Sequence, residues 1–144
     1  MMQAAEALAR PTGAVDVSRG LYGETRPWGS WRVLAESPGY KVKILEVLPG
    51  QRLSLQYHHH RSEHWVVIAG TARVCIAERY YDMHTMQSVL IPARTIHRIE
   101  NPYSEVLQIV EVQRGDILDE EDIVRLEDDY QRTHLAGASR GSGL

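Results

Sequence analysis

The sequence predicts an all-β barrel or sandwich closed by one C-terminal helix, and three observations carry that expectation. Short runs rich in β-branched residues recur from Trp31 to Val112, turn residues separate them at close spacing, and the hydrophobic period changes after Gly115. Many short strands with frequent turns are the pattern of small β-barrels and sandwiches. At 144 residues the chain is one domain of common size, long enough to bury a core. Phe is absent, so Val, Ile, Leu, Tyr and Trp must fill the interior.

Residues 1–23 are small and polar, broken by Pro11, Gly13 and Gly20. They read as an arm that is flexible or docked on a partner, because so little of it can be buried. The expected domain runs over 24–132, with order beginning near Arg26-Pro27-Trp28, and 133–144 is a Gly/Ser-rich flexible tail. Trp31–Leu34 reads as the first strand, followed by turn chemistry at Ser37-Pro38-Gly39. Tyr40–Leu48 is a strand broken by Pro49-Gly50, and Leu53–His59 and His64–Ile68 follow. Ala69-Gly70-Thr71 turns the chain, and Ala72–Ala77 is expected to return as the second arm of a hairpin. Glu78–Gln87 reads as a further short hairpin. Ser88–Ile91, Thr95–Glu100 and Val106–Val112 complete the strands, ended by Pro92, Asn101-Pro102 and Gly115. Over Asp119–Tyr130 the residues Ile123, Leu126 and Tyr130 share one helical face, Asp119 can cap, and the acids after it suit a helix N-terminus.

A net charge of −3 with scattered basic residues gives no footprint for nucleic acid or a membrane surface. No run is apolar and long enough to span a bilayer, and the N-terminus has no apolar signal-peptide core. A lone cysteine, Cys75, excludes a disulfide framework and fits a reducing cytoplasm.

The chemistry concentrates in QYHHHRSEHW, Gln56–Trp65. Alternate residues of a strand share a face, so Gln56 and His58 point together, as does His60 if the strand continues. A bend at Arg61-Ser62 then brings Glu63 to the same centre. His97, on its own strand after the Pro92 turn, is the candidate second imidazole. Two imidazoles, a carboxylate and an amide oxygen suit a divalent first-row metal. His59 and His64 alternate away from that centre, and His84 and His134 lie in polar surroundings. Trp28, Trp31 and Trp65 read as core or dimer-packing residues. Glu111, in register with Leu107 and Ile109, is either a buried ion-pair partner or a proton-transfer group. Lys43 lies mid-strand on the same face as Lys41, where an unpaired ammonium would be costly.

The spacing of Gly50, Gln56, His58, Glu63 and Gly70 resembles the first cupin motif, and that of Pro92, His97 and Asn101 the second. Gln56 stands where the first motif has a leading histidine, and Met86 and Arg94 stand where the second has glycines, which implies a different local turn. The strings RPWGSW, GYKVKILEVLPGQRLSLQYHHHRSEHWVVIAGTARV, IPARTIHRIENP and IVEVQRGDILDEEDIVRLEDDYQR closely resemble type II phosphomannose isomerases from Arg26 to Arg132. A glutamine ligand is familiar in phosphomannose isomerases generally. The resemblance implies a cupin double-stranded β-barrel (a jelly roll) that interconverts mannose 6-phosphate and fructose 6-phosphate for GDP-mannose and polysaccharide supply. One divalent ion (Zn, Co, Mn, Ni or Fe) would sit on Gln56, His58, Glu63 and His97. Glu111, then His60, are the candidate bases. Arg52, Lys43, Arg125 and Arg132 are the candidates for the sugar phosphate. A cytoplasmic homodimer is the expected assembly, since cupin barrels have open edges that pair with a second copy. Two other readings stand beside this one: a sugar-phosphate-binding cupin without catalysis, and another metal cupin such as an Fe(II) oxygenase.

Overall fold

The computed structural model describes residues 20–130. The first nineteen residues of the expected arm, the tail 133–144, Arg132 and His134 lie outside them. Twelve strands form two sheets: β1 (Tyr22–Arg26), β2 (Gly29–Ser37), β3 (Tyr40–Val47), β4 (Gln51–Arg52), β5 (Leu55–Tyr57), β6 (Arg61–Ala69), β7 (Ala72–Ile76), β8 (Arg79–Met83), β9 (Ser88–Ile91), β10 (His97–Asn101), β11 (Leu107–Gly115) and β12 (Val124–Glu127). One sheet runs β1-β2-β3-β11-β6-β9, the other β12-β5-β10-β7-β8, with β4 on β10. The all-β barrel expected from the strand pattern is thus present.

The barrel interior follows the two-residue period. On β6 the buried residues are Arg61, Glu63, Trp65 and Val67, and on β11 Leu107, Ile109, Glu111 and Gln113. One end of that face is apolar. There Trp65, Val67, Leu107, Ile109 and Val47 meet Val74, Ile99 and Met83 of the second sheet. Each fully buried Val, Ile or Leu of this cluster stabilises the fold by roughly 1.5–3 kcal/mol. The other end of the same strands carries the charged residues, so the polar site sits on a rigid hydrophobic floor.

Four expectations need correction. β6 and β7 are not a hairpin, because they lie in opposite sheets; β6 pairs with β11 and β9, and β7 with β8 and β10. Gly70 carries that crossing at φ +80, where an added Cβ would stand 2.8 Å from the Val106 carbonyl oxygen. The next hairpin is β7–β8, turned by Ala77 and Glu78 with φ of 50 and 68. Met86 and Arg94, which stand where glycines were expected, adopt left-handed φ of 73 and 62 themselves. Order also begins before Arg26, since Tyr22–Arg26 is a strand on β2.

The largest departure is at the C-terminal end. Among the described residues there is no helix, and the stretch expected as one is an extended strap. β12 pairs with β5, Val124 opposite Tyr57 and Arg125 opposite Gln56. The acids that read as a helix start are spent on long-range partners. Glu120 accepts from Lys43, Asp122 from the backbone of His59 and His60, and Asp129 from Arg52. Buried ammonium groups and an open strand edge outweigh a local helical preference worth a few tenths of a kcal/mol per residue.

Candidate metal centre

Three strands of the two sheets converge on the site. Gln56 of β5 lies directly opposite His97 of β10, so the two side chains share the inward face. His58 follows β5 at its buried end, and β6 sends Arg61, Glu63 and Trp65 inward in turn. One ligand atom each from His58, Glu63 and His97 lies within 4.8 Å of the others. His58 Nε2 is 3.3 Å from one Glu63 oxygen, and His97 Nε2 is 3.5 Å from the other.

The hydrogen bonds on the far side of each ring set its tautomer. His58 Nδ1 is 2.6 Å from the Asp122 carbonyl and His97 Nδ1 is 2.8 Å from the Thr95 carbonyl. A carbonyl only accepts, so both Nδ1 atoms carry the proton and both Nε2 atoms present a lone pair. Arg61 Nη2 donates to His58 Nε2 at 3.1 Å, which agrees. His97 Nε2 and Gln56 Oε1 are buried without a hydrogen-bond partner. Burial holds His97 below the usual imidazole range, against the pull of Glu63. Burial works against the Glu63 charge, and the Arg61 guanidinium bonded to it is among the neighbours that hold the carboxyl well below its ordinary range. The His97 lone pair and the Gln56 amide oxygen are thus left without a donor beside the His58 lone pair and an ionised carboxylate. That donor set fits a divalent cation with mixed N/O preference, and those four residues are the ones that would hold it.

A cavity of about 390 Å³ opens beside this centre. Gln56, Arg61, Glu111, Lys43, Glu120 and Arg125 are on its wall. Glu111 stands opposite Trp65 on one neighbouring strand and Lys43 on the other. Its carboxyl is pushed up to about 8, first by burial and then by the Glu63 charge, with Lys43 and Arg61 working against the shift. Lys43 is buried, bonded to Glu120 and set 4.3 Å over the Trp31 ring. Lys41 bonds the Leu118 carbonyl. Both ammonium groups are therefore compensated.

The sequence candidates divide on this geometry. Gln56, His58, Glu63 and His97 are brought together, and Glu111, Lys43 and Arg125 reach the cavity. His60 does not: β5 ends at Tyr57, the alternation stops, and His60 is exposed. Arg52 is outside the cavity, fixed by Glu100, Glu127 and Asp129 on the far side of the strap. Three contributors were missed. Arg61 shares the inward face of Glu63, two residues before it on β6, and was hidden because Arg61-Ser62 read as a bend rather than as the start of the strand. Glu120 and Asp122 reach across more than sixty residues of sequence and have no local signal.

Comparison with known proteins adds a family and a fold. Residues 16–128 match the family described as Mannose-6-phosphate isomerase C-terminal. The alginate biosynthesis protein AlgA of Pseudomonas aeruginosa is 48% identical over 108 residues, covering 75% of this chain and 22% of AlgA. The mannose-1-phosphate guanylyltransferase RfbM of Salmonella typhimurium is 45% identical over 102 residues, covering 71% of this chain and 21% of RfbM. The chain thus spans about a fifth of the length of these curated relatives. A Klebsiella pneumoniae protein with a double-stranded β-helix domain superposes with TM-score 0.66 at 17% identity, covering 81% of this chain and 93% of its own. That likeness shows the fold.

Proposed function

As the chain belongs to the mannose-6-phosphate isomerase C-terminal family, we propose that its barrel is a metal-dependent aldose–ketose isomerase. The reaction interconverts mannose 6-phosphate and fructose 6-phosphate. The observation that carries this reading is the convergence of His58, Glu63 and His97 within 4.8 Å at the edge of a cavity walled by Glu111 and by cationic side chains. A bound divalent ion would supply Lewis-acid polarisation of the sugar's C1 and C2 oxygens. Zn, Co, Mn, Ni and Fe all suit the donor set.

The chain's own residues supply the rest. Isomerisation takes a proton from C2 of the aldose, moves an electron pair through a cis-enediolate, and returns a proton to C1. Glu111 is the group for that transfer, because it is a carboxyl on the cavity wall whose burial, with the Glu63 charge beside it, raises its proton affinity. Arg61, half committed to Glu63 and His58, offers further donors to negative charge that develops beside it. Lys43 and Arg125, both on the cavity wall, are the partners proposed for the phosphate. The Trp65 indole donates to Glu63 at 3.1 Å and keeps that carboxylate in one orientation.

Run in the reverse direction, the reaction gives mannose 6-phosphate for mannose-nucleotide and polysaccharide supply in the cytoplasm, in keeping with the polysaccharide-biosynthesis names of the relatives and with the free, buried Cys75. We read the assembly as a homodimer, since β9 is an open sheet edge with an exposed Leu90; a sizing experiment decides it. No described helix is long and apolar enough to cross a membrane.

The test is direct. Folded protein loaded with each of several divalent metals is incubated with mannose 6-phosphate, and fructose 6-phosphate and dissolved oxygen are followed together. Production of the ketose without oxygen uptake is expected. Binding without turnover under every metal would move the reading to a non-catalytic sugar-phosphate cupin, and oxygen uptake would move it to an oxygenase.

A further inference from the structure

The strap that follows β11 meets the metal centre at one residue. Asp122 is buried, although it belongs to an acidic run of otherwise exposed side chains. Its carbonyl oxygen receives the His58 Nδ1 proton at 2.6 Å. Its two carboxylate oxygens are shared between neighbouring backbone donors, Oδ1 with the His59 N–H at 3.0 Å and Oδ2 with the His60 N–H at 2.9 Å. One residue thus fixes both the ring of His58 and the peptides immediately after it. Those peptides are the bend from β5 to β6, and they have no sheet partner to hold them. On the opposite side the His58 carbonyl accepts from Arg94 N at 2.7 Å, so the bend is gripped from two directions.

We propose that Asp122 is a positioning residue for the metal centre, one that ties docking of the 116–130 strap to presentation of the His58 Nε2 lone pair. The inference rests on the metal reading above and deepens it. The chemistry is a tautomer lock. A neutral imidazole offers only one lone pair, and a carbonyl acceptor at Nδ1 puts that lone pair on Nε2, where it faces Glu63. The carboxylate adds the second half, since a backbone bend bonded twice to an anion cannot rotate the ring out of line without losing two charge-assisted hydrogen bonds. The strap is held elsewhere by pairs that never touch the site, such as Arg52 with Asp129 and Tyr130 with Gln51. Those pairs separate strap docking in general from the role of Asp122.

The experiment titrates Co²⁺ into the metal-free wild type and into Asp122→Ala, Asp122→Asn and Asp129→Ala, by calorimetry and visible absorption. Ring ¹⁵N spectra of His58 and thermal unfolding are recorded on each metal-free protein. The wild type is expected to bind one equivalent and to show an Nδ1-protonated His58. Asp122→Ala should lose roughly 10–100-fold in Co²⁺ affinity, with an altered absorption envelope and a mixture of His58 tautomers. Asp122→Asn keeps one acceptor oxygen and should fall between the two, and it carries the test if the alanine variant does not fold. Asp129→Ala should bind like the wild type. The proposal is overturned if the folded Asp122 variants bind Co²⁺ as the wild type does with the same absorption, or if Asp129→Ala loses as much as Asp122→Ala. A wild type that binds no Co²⁺ overturns the metal reading itself, an outcome distinct from a wild type that binds and variants that match it.

Discussion

The carboxylate of Glu63 receives four neighbours at once: the two imidazole faces of His58 and His97, the Arg61 guanidinium and the Trp65 indole. Glu111 is the contrasting case, a carboxyl pushed up by burial and by the adjacent Glu63 charge, with further contacts from the Trp65 indole at 3.4 Å and Gln113 at 3.3 Å. A carboxyl buried beside a charge in this way is suited to moving a proton rather than to holding an ion. Glu111→Gln should therefore lower kcat by about 10²–10⁴-fold while metal stoichiometry stays at the parent value. Steady-state kinetics and elemental analysis on the same preparation check this; loss of metal together with activity would place Glu111 among the ligands. His60 gives the contrasting expectation. It is exposed and its side chain has no part in the cavity, so His60→Ala should leave kcat/KM within about threefold of the parent, as for other surface substitutions.

At the scale of elements, two turns and one strap decide whether the site is assembled. Arg94 sits in the left-handed region at φ 62, yet its backbone N–H is the donor to the His58 carbonyl. The side chain is not needed for that bond. Arg94→Gly removes a left-handed strain of about 1–2 kcal/mol and adds about 0.5–1 kcal/mol of unfolded-state freedom. It should leave stability unchanged or raise it by up to about 1 kcal/mol without altering metal affinity, as read by denaturant midpoint and metal titration. The strands were legible because a two-residue period reports burial directly, and that same period placed Gln56 and His58 on one face, with Glu63 reached through the bend at Arg61-Ser62. The β6–β7 crossing was not legible, since an Ala-Gly-Thr turn between two β-branched runs looks the same whether the strands pair or part. Nor was the strap. Acids ahead of an apolar run are a sound local signature of a helix start, and what overrode it were the Lys43, Arg52 and His59–His60 donors, brought near only by the folded barrel.

Across the whole molecule, the strap's acids make the fold sensitive to acid. Burial opposes the Glu120 charge, but Lys43 above all outweighs it and holds the carboxyl below its ordinary range. The hydrogen bond from Arg52 does the same for Asp129. A carboxylate with a depressed folded-state pKa stabilises the fold above its unfolded value and loses that contribution as pH falls through the folded one. The contribution of these two clamps should consequently hold from neutrality down to the ordinary carboxylate range and decline below it, whereas buried His97, held below the usual imidazole range, weakens the whole fold already as pH falls through that range. The strap should loosen first, because its clamps are half-exposed pairs worth about 0–1 kcal/mol each. Denaturant titrations at descending pH, followed by Trp fluorescence with Trp31 beside Lys43 as reporter, check the release of the strap; release of the strap that begins above the carboxylate range would contradict it.

The site as a whole is a rigid apolar barrel end carrying a polar centre, with the strap laid over it. Its most direct test is anomalous scattering at the cobalt edge from crystals of the Co²⁺-loaded chain. The account predicts one strong peak bounded by Gln56 Oε1, His58 Nε2, Glu63 and His97 Nε2, with both histidines bound through Nε2. A folded barrel with no peak at that point, or with cobalt held by other residues, would contradict it.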